Sequence, residues 1–244
     1  MSLAGRGIVI TRPRERAQGL ATLVEARGGR AFVFPTIAIE PLPAPAPLAR
    51  LAEYDRLIFV SPTAVRVCAL MARRWPPARA VAIGPGTRRE LEGAGVAAVL
   101  APQEGADSEA LLSLPEMQHL AGQRVLIVRG DEGRALLGEA LAERGARVEY
   151  AACYRRVRPP GDCAPLLEAR RRGELHAIAL TSAQALDNFV AMCGGELARA
   201  LPLFVAHERI ARHARAIALP QVVVAGVSDE QMLERLVAYF HERH

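Results

Sequence analysis

Residues 54–65 have the sequence YDRLIFVSPTAV. Its apolar run, residues 57–60, is continuous and bounded by polar residues, which is typical of a parallel strand covered on both faces. Ser61 and Thr63 stand where that strand ends and helical periodicity resumes. Hydroxyls and free backbone N–H groups at such a place can bind anions. The stretch therefore predicts a strand–turn–helix unit with a polar junction.

The same pattern returns in residues 175–185, which have the sequence LHAIALTSAQA, and Ser182 follows Ser61 by 121 residues. Residues 122–130 (GQRVLIVRG) likewise echo residues 5–13 (GRGIVITRP). Each copy of about 120 residues predicts strand-helix-strand, a connector, and then strand-helix-strand-helix-strand-helix. Because strands that alternate with helices form parallel sheets, the repeat predicts two flavodoxin-like α/β domains.

Proline-rich segments divide each copy and leave the domain boundaries open. Proline occupies every second position in residues 41–47, and residues 158–161 (RPPG) hold the matching place. Such segments form neither helix nor central strand, so both are expected to be extended connectors. Each copy could fold alone, with domains near 1–116 and 117–244. Alternatively, the connectors are the domain boundaries. Residues of about 48–150 would then form one domain, and the two ends of the chain would form the other. Exposed proline-rich linkers favour this second arrangement.

All 31 basic residues are arginine, and the formal net charge is +5. Arginine binds carboxylate and phosphate groups through paired hydrogen bonds, so this composition suits a polyanionic ligand, although a codon bias would give the same excess. The arginines are spread along the chain without interleaved aromatic residues, which disfavours a nucleic-acid partner. The absence of lysine excludes a Schiff base on the protein.

Cys68, Cys153, Cys163 and Cys193 are scattered, without the C-x-x-C or Cys/His spacing of a zinc site. Since no signal peptide is evident, we expect four reduced thiols in a cytoplasmic protein. No apolar run approaches the roughly 18 residues that a membrane-spanning helix needs. The sequence therefore predicts a soluble protein without a metal site.

Short motifs occur in a fixed order along nearly the whole chain, namely ITRP (10–13), YD (54–55), FVS (59–61), AV (64–65), AIG (82–84), DSE (107–109), RG (129–130), GR (133–134), Tyr154, LTS (180–182) and ERIA (208–211). Their order and spacing resemble the uroporphyrinogen-III synthase family. The resemblance implies a lyase of porphyrin and haem biosynthesis that converts the linear tetrapyrrole hydroxymethylbilane to uroporphyrinogen III. Water is lost, ring D is inverted through a spiro intermediate, and no metal or organic cofactor takes part.

The resemblance also implies an architecture, because family members have two α/β domains joined by two extended linker strands, with the active-site cleft between them. Domain 1 would comprise residues 1–36 together with 162–244, domain 2 residues 48–150, and the linkers residues 37–47 and 151–161. The implied protein is a cytoplasmic monomer that binds its tetrapyrrole substrate, and a transient contact with hydroxymethylbilane synthase is compatible with this function. Neither nucleic acid nor membrane is an expected partner.

Tyr154 is the expected catalytic residue, since the family's matching tyrosine is the usual candidate for protonating the leaving hydroxyl. Substrate carboxylates are expected at strand ends, where hydroxyls, tight turns and arginines occur. Helix capping and solvated surface positions use the same residue types, so each assignment has a structural alternative. The expected substrate-binding residues are Thr11, Arg12, Ser61, Thr63, Gly84, Thr87, Ser108, Arg129, Gly130, Arg134, Thr181, Ser182, His207 and Arg209.

A non-catalytic, two-lobed binding protein for a small polyanionic ligand is the alternative function. Duplicated α/β lobes with two crossovers are also the layout of proteins that close on a ligand by a hinge. Such proteins are often exported, and this sequence shows no signal peptide. The isomer formed from freshly made hydroxymethylbilane would distinguish the two functions.

Overall fold

The computed structural model describes residues 2–72, 75, 79–133 and 135–242. Along these residues the strands are β1 (Gly7–Ile10), β2 (Arg30–Val33), β3 (Ala38–Pro41), β4 (Arg56–Phe59), β5 (Arg79–Ala82), β6 (Val99–Leu100), β7 (Arg124–Gly130), β8 (Arg147–Val157), β9 (Ala177–Leu180), β10 (Leu203–Val205) and β11 (Val222–Val224). The α-helices are α1 (Arg14–Ala26), α2 (Pro62–Met71), α3 (Pro85–Gly93), α4 (Ser108–Leu112), α5 (Leu136–Glu143), α6 (Ala164–Arg171), α7 (Ala183–Cys193), α8 (Gly195–Ala200), α9 (Glu208–Ala216) and α10 (Asp229–His241). Short 3-10 helices cover Ala46–Glu53 and Pro115–Met117.

The strands build two sheets, each in its own compact unit of the chain. The first unit comprises Met1–Ala38 with Val157–His244, and the second comprises Ile39–Arg156. The first sheet has the strand order β11-β10-β9-β1-β2, and the second has the order β3-β8-β7-β4-β5-β6. Pairing is parallel throughout the first sheet and from β8 to β6 in the second. The predicted α/β class with parallel sheets is confirmed.

Part of each expected linker lies in a strand of the second sheet. Residues 38–41 form β3 at the edge of that sheet, where a proline is tolerated because its missing N–H faces no further strand. The neighbouring strand β8 extends to Val157, and the Leu42 N–H donates to the Cys153 carbonyl at 2.9 Å. The exact domain boundaries expected from the resemblance stay a prediction.

Both faces of the central strands are buried. In β4, Leu57 and Phe59 belong to the apolar cluster on one face, and Ile58 belongs to the cluster on the other. In β1, Val9 and Ile8 divide between two clusters in the same way. Because each side chain of these strands meets apolar neighbours, the strands require the continuous apolar runs seen in the sequence.

The expectation of four reduced thiols is wrong. Cys163 and Cys193 form a disulfide, whereas Cys68 and Cys153 are free and buried. The bonded residues are separated by 30 positions, and the fold brings the residue before α6 next to the end of α7. Sequence spacing could not reveal this pair, because it depends on how the two helices pack.

We expect Leu57→Ala to lower the free energy of unfolding by about 2–5 kcal/mol, because it leaves a cavity in the core. Leu70→Ala is a matched control, since Leu57 is 1% exposed and Leu70 is 84% exposed. The control should change stability by no more than about 0.5 kcal/mol. Urea unfolding measures both variants, and equal losses would contradict the burial of Leu57 in the core.

Candidate functional site

The carboxyl ends of β4 and β5 each pass directly into a helix. Ser61 is the N-cap of α2, and its Oγ accepts a hydrogen bond from the Ala64 N–H at 3.0 Å. Gly84 is the N-cap of α3. Pro62 and Pro85 occupy the first helical positions, where a missing N–H is harmless. The free N–H groups of two helices therefore lie at one edge of the second sheet, and such groups attract anions.

Tyr154 lies in β8, is 3% exposed, and contacts this junction. Its hydroxyl oxygen is 3.0 Å from Ser61 Oγ, and either hydroxyl can donate. When Ser61 donates, the phenol proton is available to a different acceptor. A Cβ at Gly130 would lie 3.1 Å from the Tyr154 ring, so the ring packs closely against backbone that carries no side chain. The arrangement is a buried pair of hydroxyls at the end of β4.

A cavity of about 260 Å³ opens at the carboxyl ends of β4, β5 and β7. Apolar side chains such as Val60 and Ile83 line it, together with Ser108, Arg129 and Tyr150. The Arg129 guanidinium carbon lies 5.4 Å from the centroid of the Tyr150 ring. The cavity thus brings together two expected residues, Ser108 and Arg129, and an aromatic residue that was not expected, Tyr150. Tyr150 had no motif to mark it.

Two carboxylates, those of Asp107 and Glu132, also line this cavity, and neither was expected there. The Asp107 carboxylate caps α4 by accepting a hydrogen bond from the Ala110 N–H at 2.8 Å. The positive end of the helix dipole offsets part of its charge. The motif DSE marked this position in the sequence, but only Ser108 was assigned to the site.

The other expected residues of the second unit have mainly internal contacts. Thr63 and Thr87 are 8% and 2% exposed, and an Arg66 Nη donates to Thr63 Oγ1 at 3.4 Å. A Cβ at Gly84 would lie 2.6 Å from the Cβ of Ala106, so the packing of this turn requires glycine. Arg134, an expected substrate-binding residue, lies outside the described residues.

In the first unit, two expected residues at the end of β1 are held by the protein itself. Thr11 is fully buried, and its hydroxyl donates to the Ala179 carbonyl at 2.9 Å. Arg12 is 9% exposed and forms an ion pair with Asp229 at the start of α10. Its Nη2 is buried without a hydrogen-bond partner among the described residues. These contacts fix the carboxyl end of β1 to β9 and α10.

The junction after β9 repeats the geometry of the junction after β4. Ser182 is the N-cap of α7 and accepts a hydrogen bond from the Ala185 N–H at 3.0 Å, and Thr181 beside it is half-buried. His207 is the N-cap of α9 without a side-chain capping bond, and both His207 and Arg209 are exposed. The expected residues that the structure describes therefore lie at the carboxyl edge of each sheet, but Ser61 and Tyr154 do not line the cavity that Ser108 and Arg129 share.

The polar groups of the two junctions are mainly hydroxyls, backbone N–H groups and guanidinium groups, and the exceptions are the Asp107 and Glu132 carboxylates at the cavity and the His207 imidazole. Within the described ranges, no three His, Cys, Asp or Glu side chains are grouped so that they could hold a metal ion. No helix in that part of the chain is both long and apolar enough to cross a bilayer. The N–H and guanidinium groups of the junctions can bind carboxylates. The hydroxyl groups can pass a proton from one oxygen to another.

Comparisons with known proteins agree on one family. Residues 18–234 match the family model of uroporphyrinogen-III synthase HemD. The chain is 33% identical over 241 residues to uroporphyrinogen-III synthase of Escherichia coli, covering 93% of this chain and 98% of that protein. It is 36% identical over 244 residues to uroporphyrinogen-III synthase of Salmonella typhimurium, with the same coverage. The crystal structure of uroporphyrinogen-III synthetase from Helicobacter pylori has a similar fold, with a TM-score of 0.63 at 17% identity over 96% of this chain and 99% of that one.

Ser61→Ala and Ser182→Ala form a matched pair, because each removes a helix cap but only the first removes a contact to Tyr154. Each lost cap should lower the free energy of unfolding by about 1 kcal/mol. Ser61→Ala should lose roughly 1 kcal/mol more, because the buried Tyr154 hydroxyl loses its partner. Urea unfolding measures the difference.

A double-mutant cycle with Tyr154→Phe isolates this extra loss. In the Tyr154→Phe background, Ser61→Ala should cost only the capping energy, since no phenol oxygen remains to be left unpaired. Additive losses in the cycle would contradict the hydroxyl pair.

Proposed function

The chain belongs to the uroporphyrinogen-III synthase family, and we propose that it cyclises hydroxymethylbilane to uroporphyrinogen III. The terminal hydroxyl leaves as water, and ring D then attacks through its substituted α-carbon to form a spiro intermediate. That intermediate opens and closes again with ring D inverted. Because unassisted closure gives the uninverted isomer, the protein must chiefly position and shield its substrate.

The Ser61–Tyr154 hydroxyl pair carries the proposal. We assign Tyr154 as the donor to the leaving hydroxyl, because a proton supplied at that oxygen lets it depart as water. A hydrogen bond from Ser61, whose Oγ lies 3.0 Å from the phenol oxygen, stabilises the negative charge that then develops there. The proton returns to the phenol when the final ring closure releases one from the α-carbon of ring D. The step consumes no other reactant.

We assign the substrate carboxylates to the helix N-termini and arginines of the two junctions. In the second unit, the N-termini of α2 and α3 and the Arg129 side chain are available at the edge where Tyr154 lies. In the first unit, the N-terminus of α7 beside Thr181 offers similar donors. Each charge-assisted hydrogen bond contributes about 1.5–3 kcal/mol, so several are needed to orient a ligand with many carboxylates.

We further propose that the protein acts as a cytoplasmic monomer without a metal or an organic cofactor. The hydroxyl pair supplies the proton that water loss requires, and the rest of the reaction is rearrangement. A transient contact with hydroxymethylbilane synthase would shorten the time that an unstable substrate spends in water.

Freshly made hydroxymethylbilane, incubated with protein that has been treated with a chelator, should give the type III isomer in excess over type I. Separation of the oxidised products measures the ratio, and a sample without protein supplies the spontaneous type I background. Saturable binding that yields only the background ratio would instead support the non-catalytic, two-lobed binding protein.

Tyr154→Phe should lower turnover by about 10²-fold, because the donor to the leaving hydroxyl is lost. Tyr54→Phe is a matched control, since Tyr54 is equally buried but precedes the opposite end of β4. The control should keep its turnover, and circular dichroism should show both variants folded. Wild-type turnover in Tyr154→Phe would reduce Tyr154 to a packing residue.

A further inference from the structure

The amino-terminal edge of the second sheet carries a separate cavity of about 470 Å³. Arg56 and Arg79 are the first residues of β4 and β5, and both line this cavity. They are direct partners in the parallel register. Partners on neighbouring strands point to the same face of a sheet, about 4.8 Å apart. Two guanidinium groups therefore meet the cavity side by side, at the opposite edge of the sheet from Ser61.

Arg56 is a buried residue whose guanidinium is bound by the protein on one side only. The residue is 5% exposed, and its Nε donates to Gln123 Oε1 at 2.8 Å. Within the described part of the chain, its Nη groups have no hydrogen-bond partner. Burial lowers the pKa of Arg56, the charge of Arg79 adds to this effect, and Glu116 and Asp55 oppose it only in part. A partly desolvated guanidinium that lines a cavity with donors left to bond favours a further acceptor there.

The remaining charges around the cavity leave an excess of arginine. Arg88 and Glu92 line the cavity but pair with each other at 2.9 Å. Arg79 is exposed and has no ion pair with any described residue. Arg56 and Arg79 thus share a single lining carboxylate, that of Glu116. Small and aliphatic side chains of β5, β6 and the residues just before β6 form the rest of the wall.

We propose that this cavity binds a small oxyanion, a phosphate or carboxylate group, held jointly by Arg56 and Arg79. An oxyanion with two free oxygens can accept hydrogen bonds from both guanidinium groups, and its charge offsets their mutual repulsion. The bond to Gln123 already fixes Arg56, so little side-chain freedom is lost on binding. The site is independent of the proposed synthase reaction, because it shares no residue with the junctions at the carboxyl edge.

Isothermal titration calorimetry with inorganic phosphate and with malonate, at constant ionic strength, tests the site. At least one anion should bind saturably to the wild-type protein, and the preferred one identifies a phosphate or a carboxylate site. Arg79→Ala should weaken that binding by about tenfold or more, because charge-assisted hydrogen bonds are lost. Arg89→Ala is the matched control, since it removes an equal charge from the exposed side of α3 and should leave the affinity unchanged.

Arg79 is preferred to Arg56 for this test because its side chain is exposed and its loss leaves no core cavity. Arg79→Gln, which keeps hydrogen-bond donors but loses the charge, should bind with intermediate affinity. The proposal is overturned if neither anion binds saturably. Equal weakening by Arg79→Ala and Arg89→Ala would also overturn it, because the anion would then respond only to net charge.

Discussion

Burial on both faces of the central strands determines where polar side chains can stand in this fold. β1, β4 and β9 are each four residues long, and every residue in them is buried. A polar side chain in the middle of such a strand would lose its hydrogen bonds to water without gaining others. Polar chemistry is therefore confined to strand ends, with Ser61 and Ser182 at carboxyl ends and Arg56 at an amino end.

The local part of this arrangement could be predicted from the sequence. Alternating apolar runs and helical periodicity gave the α/β class, because both signals arise within a few residues. The caps formed by Ser61 and Ser182 could be predicted as well, since each capping hydrogen bond joins residues only three positions apart. Serine is favoured there because its oxygen satisfies an N–H that the helix leaves unpaired. The internal repeat then indicated that the same capped strand–turn–helix unit occurs twice.

Contacts between distant residues could not be predicted, and the hydroxyl pair shows why. Ser61 and Tyr154 are 93 positions apart in the sequence. They meet because the sheet places β4 and β8 on the two sides of the same strand, β7. The register of β7 and β8 also shifts after Arg129, so that Gly130 lies opposite Tyr154 rather than Cys153. A shift of one residue reverses which face a side chain occupies. No periodicity in the sequence records such a bulge, although the placement of the phenol depends on it.

The two edges of one parallel sheet set opposite electrostatic conditions for an anion. At the carboxyl edge, helices begin, so free N–H groups and the positive ends of their dipoles attract an anion without help from charged side chains. At the amino edge, the preceding helices end, and their free carbonyls repel an anion. An anion at the amino edge must therefore be bound by cationic side chains, whereas backbone N–H groups bind it at the carboxyl edge. Arg56 and Arg79 begin adjacent strands in register, which places two such cations at the edge where the backbone supplies none.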